Sequence, residues 1–528
     1  MVIKKWRVYI ASTDYDLEYA REPIAEKIKT VGFEPVIFKK GSFVKDSELH
    51  SHDTCLRSVE TSDILLLILD KLSGGSYLGK KENPSVTEKE YETAINNNIP
   101  TIIFVSQKLE QERFDRVGTI RKAHPGISDE ELLRELKNIE TRYADSPKLL
   151  IFLQKIRKSA VGNYISFFND PHQLNDEVIG RLYALTPTIL RKLSSIQRTD
   201  VTNKSTALGK EYNIGYLLNS ECMVEPKLTS IDDLPIDISN FKFLTDVSGN
   251  KISLIVGKPG SGKTILTAKI FIKLFNVSYE SKSIDIPIYF DLRSLKDSND
   301  FSTIGILSNA FKLYLQKELY PTLDLNICNL LFILDGLDEI SEKLIEHLSY
   351  IDGFENLKGV HGLVSVRKSY FDIYISGAKI EKDIGRIFIL QEWSKDQGIN
   401  FVKKWLIDVN SVELDDEFES YVRDNKIDEV FSNPIMASMY AFSTKQLERI
   451  PEQISDRATL YESFMRALAR HEVSKNDLLS KDKSSVEKIK NCWQYIAWEI
   501  FRNRLDLKTL YDLYPISWTH RKSAIIIT

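Results

Sequence analysis

ISLIVGKPGSGKTI, residues Ile252–Ile265, decides the fold. The apolar residues at its start read as a strand, GKPGSGKT as a loop, and the residues from Lys263 onward as a helix. Gly257, Lys258, Pro259, Gly260, Ser261, Gly262, Lys263 and Thr264 satisfy G-x-x-x-x-G-K-[ST], a phosphate-binding loop. The three glycines let the backbone curl so that successive N–H groups point at phosphates. The start of the helix adds the positive end of its dipole. Lys263 is expected to reach the β- and γ-phosphates of ATP, and the Thr264 hydroxyl to bind Mg²⁺.

The second half of such a site lies downstream. Leu330–Leu334 is a continuous apolar run, as a strand buried on both faces must be. It ends in Asp335-Gly336-Leu337-Asp338-Glu339. A carboxylate at the C-terminal end of such a strand faces the phosphate loop in a doubly wound sheet. Asp335 is therefore expected to hold Mg²⁺, and Asp338 or Glu339 to orient or deprotonate the attacking water.

LLFILDGLDE resembles the Walker B segment of NACHT domains, within the STAND class of signalling NTPases. IPIYFDLRSL (Ile286–Leu295) is similar to that family's second strand. GLVSVRKS (Gly362–Ser369) is similar to its sensor strand, which puts Arg367 at the sensor-1 position. FSNP (Phe431–Pro434) resembles the helical-domain motif whose proline packs near the adenine, which implies Pro434 as a nucleotide contact. ATLYESFMRAL (Ala458–Leu468) is similar to the start of a winged-helix segment. The resemblance covers roughly Lys251 to the C-terminus and implies an ATP-dependent switch that self-associates on activation. STAND proteins usually carry a further sensor of repeats; none is read before Thr528, so sensing is expected elsewhere or beyond this chain.

Composition narrows the setting. A chain of 528 residues predicts roughly three to four domains. The net charge of −4 gives no strong nucleic-acid signal. Cys55, Cys222, Cys328 and Cys492 are scattered without C-x-x-C, which suits a reducing cytoplasm. The longest apolar run, Ile64–Leu69, is far short of the roughly 20 residues that span a bilayer, so no membrane partner is expected. His50, His52 and Cys55 read as a surface loop rather than a metal site.

Upstream of the phosphate loop, short apolar strands at Arg7–Ala11, Pro35–Phe38, Ile64–Asp70 and Pro100–Val105 alternate with helical patterns. That alternation predicts a small parallel α/β domain. Pro23 falls inside the first helical pattern, so that helix is expected to start late or kink. VYIAST (Val8–Thr13), SDILLLILD (Ser62–Asp70) and SVTEKEYETA (Ser85–Ala94) resemble N-terminal domains related to TIR domains and nucleoside deoxyribosyltransferases. The last is similar to T-x-x-E-x-G-Y-A, with Thr87 and Ala94 matching and Glu90 on the catalytic carboxylate. Glu92 stands in place of the glycine and Thr93 in place of the tyrosine. Breaking an N-glycosidic bond builds positive charge on the ribose, which a carboxylate can stabilise or attack. Glu90 is expected at the carboxyl edge of the sheet for this, with Glu88 as second choice and Asp70, Ser12 and Asp14 on the same rim.

The expected architecture is α/β and multidomain. A TIR-like (flavodoxin-like) domain with a helical extension fills 1–195, and a linker 196–249. A doubly wound P-loop NTPase follows at 250–392, a helical domain at 393–455 and a winged-helix-like region at 456–528. By resemblance, the whole suits prokaryotic antiphage signalling: an outside trigger, such as a phage protein, releases a head that cleaves NAD or a related nucleoside. The alternative is a TIR-like head that only recruits partners.

Overall fold

Two mainly parallel sheets organise the chain. The computed structural model describes residues 3–38, 50–232, 234–236, 252–295, 303–319, 323–339, 360–375, 384–409, 428–447, 457–474 and 486–491, apart from isolated positions within these spans.

The first sheet joins β1 (Arg7–Ala11), β2 (Glu34–Val36), β3 (Ile64–Leu69), β4 (Thr101–Ser106) and β5 (Ile165–Phe168). All pairings are parallel, in the order β2-β1-β3-β4-β5. This is the flavodoxin-like order, with its switch point between β1 and β3. β3, ILLLIL, is buried at every position because helices cover both faces. α1 (Asp14–Thr30) and α7 (Pro171–Ala184) pack on one face through Leu17, Ile24, Leu174 and Val178. α2 (Ser51–Glu60), α3 (Val86–Asn96) and α6 (Pro147–Lys158) cover the other through Val59, Tyr91 and Phe152.

Three local expectations change. α1 runs unbroken through Pro23, which lies on its exposed side, where water can serve the carbonyl the proline leaves without a donor. His50 and His52 are not in a loop: His50 caps α2, and its ring accepts the His52 N–H at 3.2 Å. β5 is a further strand within the domain's expected helical extension, formed by parallel pairing with β4.

The second sheet contains β6 (Leu228–Ser230), β7 (Pro235–Ile236), β8 (Ile252–Gly257), β9 (Asp285–Asp291), β10 (Asn329–Asp335), β11 (Val360–Arg367) and β12 (Ile384–Leu390). Its order is β7-β6-β12-β8-β11-β10-β9, with β12 to β9 parallel and β6 and β7 added antiparallel at one edge. The helix Lys263–Ser281 carries the chain from β8 to the far edge at β9, so β11 is left between the phosphate-loop strand and the strand that ends at Asp335.

Much of the stretch that reads as a linker is built into this body. α8 (Thr186–Asn203) continues through it, α9 (Ile214–Asn219) follows, and β6 and β7 join the second sheet. The polar composition hides the helix because three of its seven inward-facing residues, Thr186, Ser194 and Gln197, are polar; the others are Ile189, Leu190, Leu193 and Val201. The two domains also touch, through residues that flank the first sheet and the segment from Phe311 to Glu318. Trp6 stacks edge-on to Phe311 at 5.8 Å and donates Nε1–H to the Glu318 carbonyl at 3.1 Å, while Lys317 pairs with Asp63 at 2.8 Å.

Beyond the second sheet, helices Lys395–Asp408, Pro434–Leu447 and Arg457–Ser474 pack around Trp405, Phe431 and Tyr440. Only the first helix of the expected winged-helix region and residues 486–491 are described; the rest of that expectation lies outside the described residues.

Candidate nucleotide site

The loop after β8 closes where the glycines allow it. Gly260 and Gly262 have φ of +73° and +93°, a region L side chains avoid. A Cβ on Gly257 would lie 2.7 Å from Ser261 Oγ. These are the features of a cradle with no room for side chains, and they fit a phosphate chain. Lys263 Nζ donates to the Gly257 and Lys258 carbonyls, each at 3.0 Å, so it arches back over the loop. Burial lowers its pKa, and Asp338 opposes that most strongly. Thr264 sits half-buried in the first turn of the helix. Lys258 points outward to Glu392 at 2.9 Å.

The carboxylates sit at the ends of neighbouring strands. Asp335 is 3% exposed. It accepts from Ser365 Oγ at 2.7 Å and from the Tyr289 hydroxyl at 3.2 Å. Ser365, on the intervening strand β11, also accepts the Gly336 N–H at 2.8 Å. Sequence reading missed both partners, although a serine in the otherwise apolar run LVSV was a visible signal. Arg367 holds Asp338 through its backbone N–H at 2.8 Å and Nε at 2.7 Å, and reaches Glu339 at 3.7 Å. Arg293 Nε lies 3.1 Å from the other Glu339 oxygen. Burial raises the Glu339 pKa, and Arg293 is the main group opposing it. Arg367, at the end of β11, is thus placed on the acidic loop itself.

The helical region reaches the phosphate loop. Asn433 Nδ2 donates to the Pro259 carbonyl at 3.2 Å, and the Ile435 N–H to the Gly260 carbonyl at 3.3 Å. Pro434 comes within 4.0 Å of where a Gly262 Cβ would stand. Pro434 therefore lies beside the phosphate loop, and Asn433, which sequence reading passed over, holds it there.

In the N-terminal domain, Glu90 is not on the open rim expected for it. It is 5% exposed and accepts the Tyr9 hydroxyl at 2.6 Å, facing the middle of β1. The helical spacing turns that position inward, under the sheet. Burial raises its carboxyl to about 7, against the Tyr9 hydrogen bond and the nearby Arg21 charge. Glu88 pairs with Lys155 of α6 at 2.7 Å, and Glu92 with Lys89 at 2.6 Å. Asp70 accepts the Tyr143 hydroxyl at 2.5 Å. Asp16, in the first turn of α1, takes the Lys71 and Leu72 N–H groups at 3.2 and 3.0 Å. Ser12 follows β1 directly and Asp14 opens α1. Among the described residues no group of three or more His, Cys, Asp or Glu could hold a metal ion, and no helix is long and apolar enough to cross a membrane.

A phosphate loop closing one parallel strand and buried carboxylates ending another, with a polar strand between them, define a P-loop NTPase domain. Residues 251–408 match the NACHT domain, and residues 7–183 match a domain of unknown function, DUF4062. No curated protein matches the chain. Among solved structures, the Aeropyrum pernix ORC1 protein in complex with DNA is similar at 10% identity and a TM-score of 0.29, over 48% of this chain and 75% of that one. The A. pernix ORC2 protein is similar at 14% identity and 0.28, over 54% and 81%. Domain III of the Thermotoga maritima replication initiation protein DnaA is similar at 16% identity and 0.28, over 42% and 87%.

Proposed function

We propose that this protein is a STAND-type switch that binds ATP with Mg²⁺, hydrolyses it and self-associates on activation. The observation that carries this reading is the phosphate loop Gly257–Thr264 alongside Asp335, Asp338 and Glu339. Loop N–H groups and Lys263 would hold the phosphates; Thr264 and Asp335 would hold the metal. Bound Mg²⁺ supplies charge neutralisation on the phosphate oxygens. Asp338 is engaged twice by Arg367 and its side chain is 5% exposed, whereas that of Glu339 is 31% exposed. Glu339 is therefore the better placed to orient or deprotonate water, with Asp338 second. Arg367 and Pro434 would bear on the nucleotide from the sensor strand and the helical region. Lys263→Ala should abolish ATP binding by calorimetry; unchanged affinity would count against the assignment.

For the N-terminal domain we propose an effector that cleaves the N-glycosidic bond of NAD or a related nucleoside once the protein assembles in response to a trigger such as a phage protein. A Glu90 carboxyl poised near neutral pH and bonded to Tyr9 supports this role. Its burial supports a second reading, a non-enzymatic TIR-like head that recruits partners. Incubating the assembled protein with mixed nucleotides and reading products by mass spectrometry separates the two. Products that vanish in Glu90→Gln support cleavage, and none from the wild type supports recruitment.

A further inference from the structure

α8 leaves the N-terminal domain and ends beside the acidic loop of the nucleotide site. Lys204, which closes it, donates to Asp291 at 2.9 Å and lies 4.9 Å from the centre of the Tyr289 ring. The Lys204 and Asp291 side chains are 20% and 18% exposed, so water screens the pair weakly. Asp291 also receives Arg293 through Nε at 2.9 Å and Nη2 at 2.8 Å. The same Arg293 Nε faces Glu339 at 3.1 Å. Lysine, aspartate, arginine and glutamate therefore alternate in charge from the end of α8 to the water-orienting carboxylate.

A second grip lies one helical stretch earlier. The buried Gln197 amide donates to the Tyr289 carbonyl at 2.6 Å and accepts the Tyr289 N–H at 3.1 Å. Tyr289 in turn donates its hydroxyl to Asp335. One hold thus reaches Asp335 through Tyr289, and the other reaches Glu339 through Asp291 and Arg293. At its other end α8 follows α7, which is part of the N-terminal core.

With Lys204 in place, Asp291 is shared between two cations, and Arg293 has charge left for Glu339. Without it, Asp291 competes harder for Arg293, and Glu339 keeps only the longer contact to Arg367. We infer that α8 couples the N-terminal domain to the nucleotide site, and that Lys204 is a positioning residue acting on Glu339 through Asp291 and Arg293. This rests on the reading of Glu339 as the water-orienting group.

The test uses the full chain with ATP and Mg²⁺. Lys204→Ala should lower kcat about tenfold while ATP affinity stays within about twofold, because only the orientation of a remote group changes. Lys204→Arg should restore kcat. Arg191→Ala is the control: Arg191 donates to the Ser283 carbonyl at 2.7 Å at the opposite end of β9, so its loss should leave kcat unchanged. Unchanged kcat in Lys204→Ala overturns the inference, and so does an equal loss in Arg191→Ala. A thermal double-mutant cycle of Lys204→Ala with Glu339→Gln decides the coupling without turnover. Non-additive shifts in midpoint support it and additive shifts overturn it. A wild type that binds ATP but never turns over removes the hydrolytic reading, and the cycle then decides the coupling alone.

Discussion

Asp338 and Glu339 are adjacent in sequence and unequal in surroundings. Arg367 clamps the first, while the second lies between Arg293 and Arg367 with more of its side chain open. Glu339→Gln should keep ATP affinity and cut turnover about 10²-fold or more in single-turnover assays, as loss of a general base does. Asp338→Asn should cost less. Glu90 makes a different prediction. Its folded pKa of about 7 stands above the ordinary 4.5, so the unfolded chain loses its proton first. The stability it contributes is present below about pH 4.5 and is lost as pH rises towards 7. Glu90→Gln removes the ionisation, so its stability relative to wild type should grow by about 2–3 kcal/mol from pH 5 to pH 8 in denaturant titrations. A difference that does not change with pH would mean that the carboxyl is not buried in this way.

At the scale of elements, two glycines mark places where backbones meet. A Cβ on Gly398 would overlap the Phe431 carbonyl, which joins helix Lys395–Asp408 to the segment that contacts the phosphate loop. Gly398→Ala should lower stability by about 1–3 kcal/mol, seen as a lower thermal midpoint. Gly260 combines φ +73° with a would-be Cβ 2.8 Å from Asn433 Oδ1. Gly260→Ala should weaken ATP binding, because the loop must shift and the Asn433 contact must open. Calorimetry on the folded variant reads this directly.

At the scale of the whole molecule, Trp6, Phe311, Asp63 and Lys317 join the two domains, and α8 joins them a second time. Trp6→Ala should split a single calorimetric transition into two, with ATP affinity retained, since the change touches no group of the nucleotide site. A single transition in the variant would place the main join at α8 instead. Self-association of the ATP state should appear as a mass increase in light scattering with ATP and Mg²⁺, and should be absent in Lys263→Ala.

The phosphate loop and the strand ending at Asp335 are legible in the sequence because both are local. A glycine pattern sets backbone dihedrals, and an unbroken apolar run requires burial on both faces. The alternating strands of the first domain are legible for the same reason, and so is the parallel fold they imply. The rest depends on what lies across the gap. Ser365 and Tyr289 hold Asp335 only because β9, β10 and β11 are neighbours, an order no local signal encodes. Glu90 reads as a rim carboxylate, and only packing against β1 places it under the sheet. Residues 198–203 read as a linker because their composition is polar; they are helical because β9 covers their inward side. Local chemistry determined which groups are candidates to bind phosphate and metal. The tertiary structure decided which of them face one another, because charges and hydrogen bonds act across space, and the distance in space is set by strand order and helix packing.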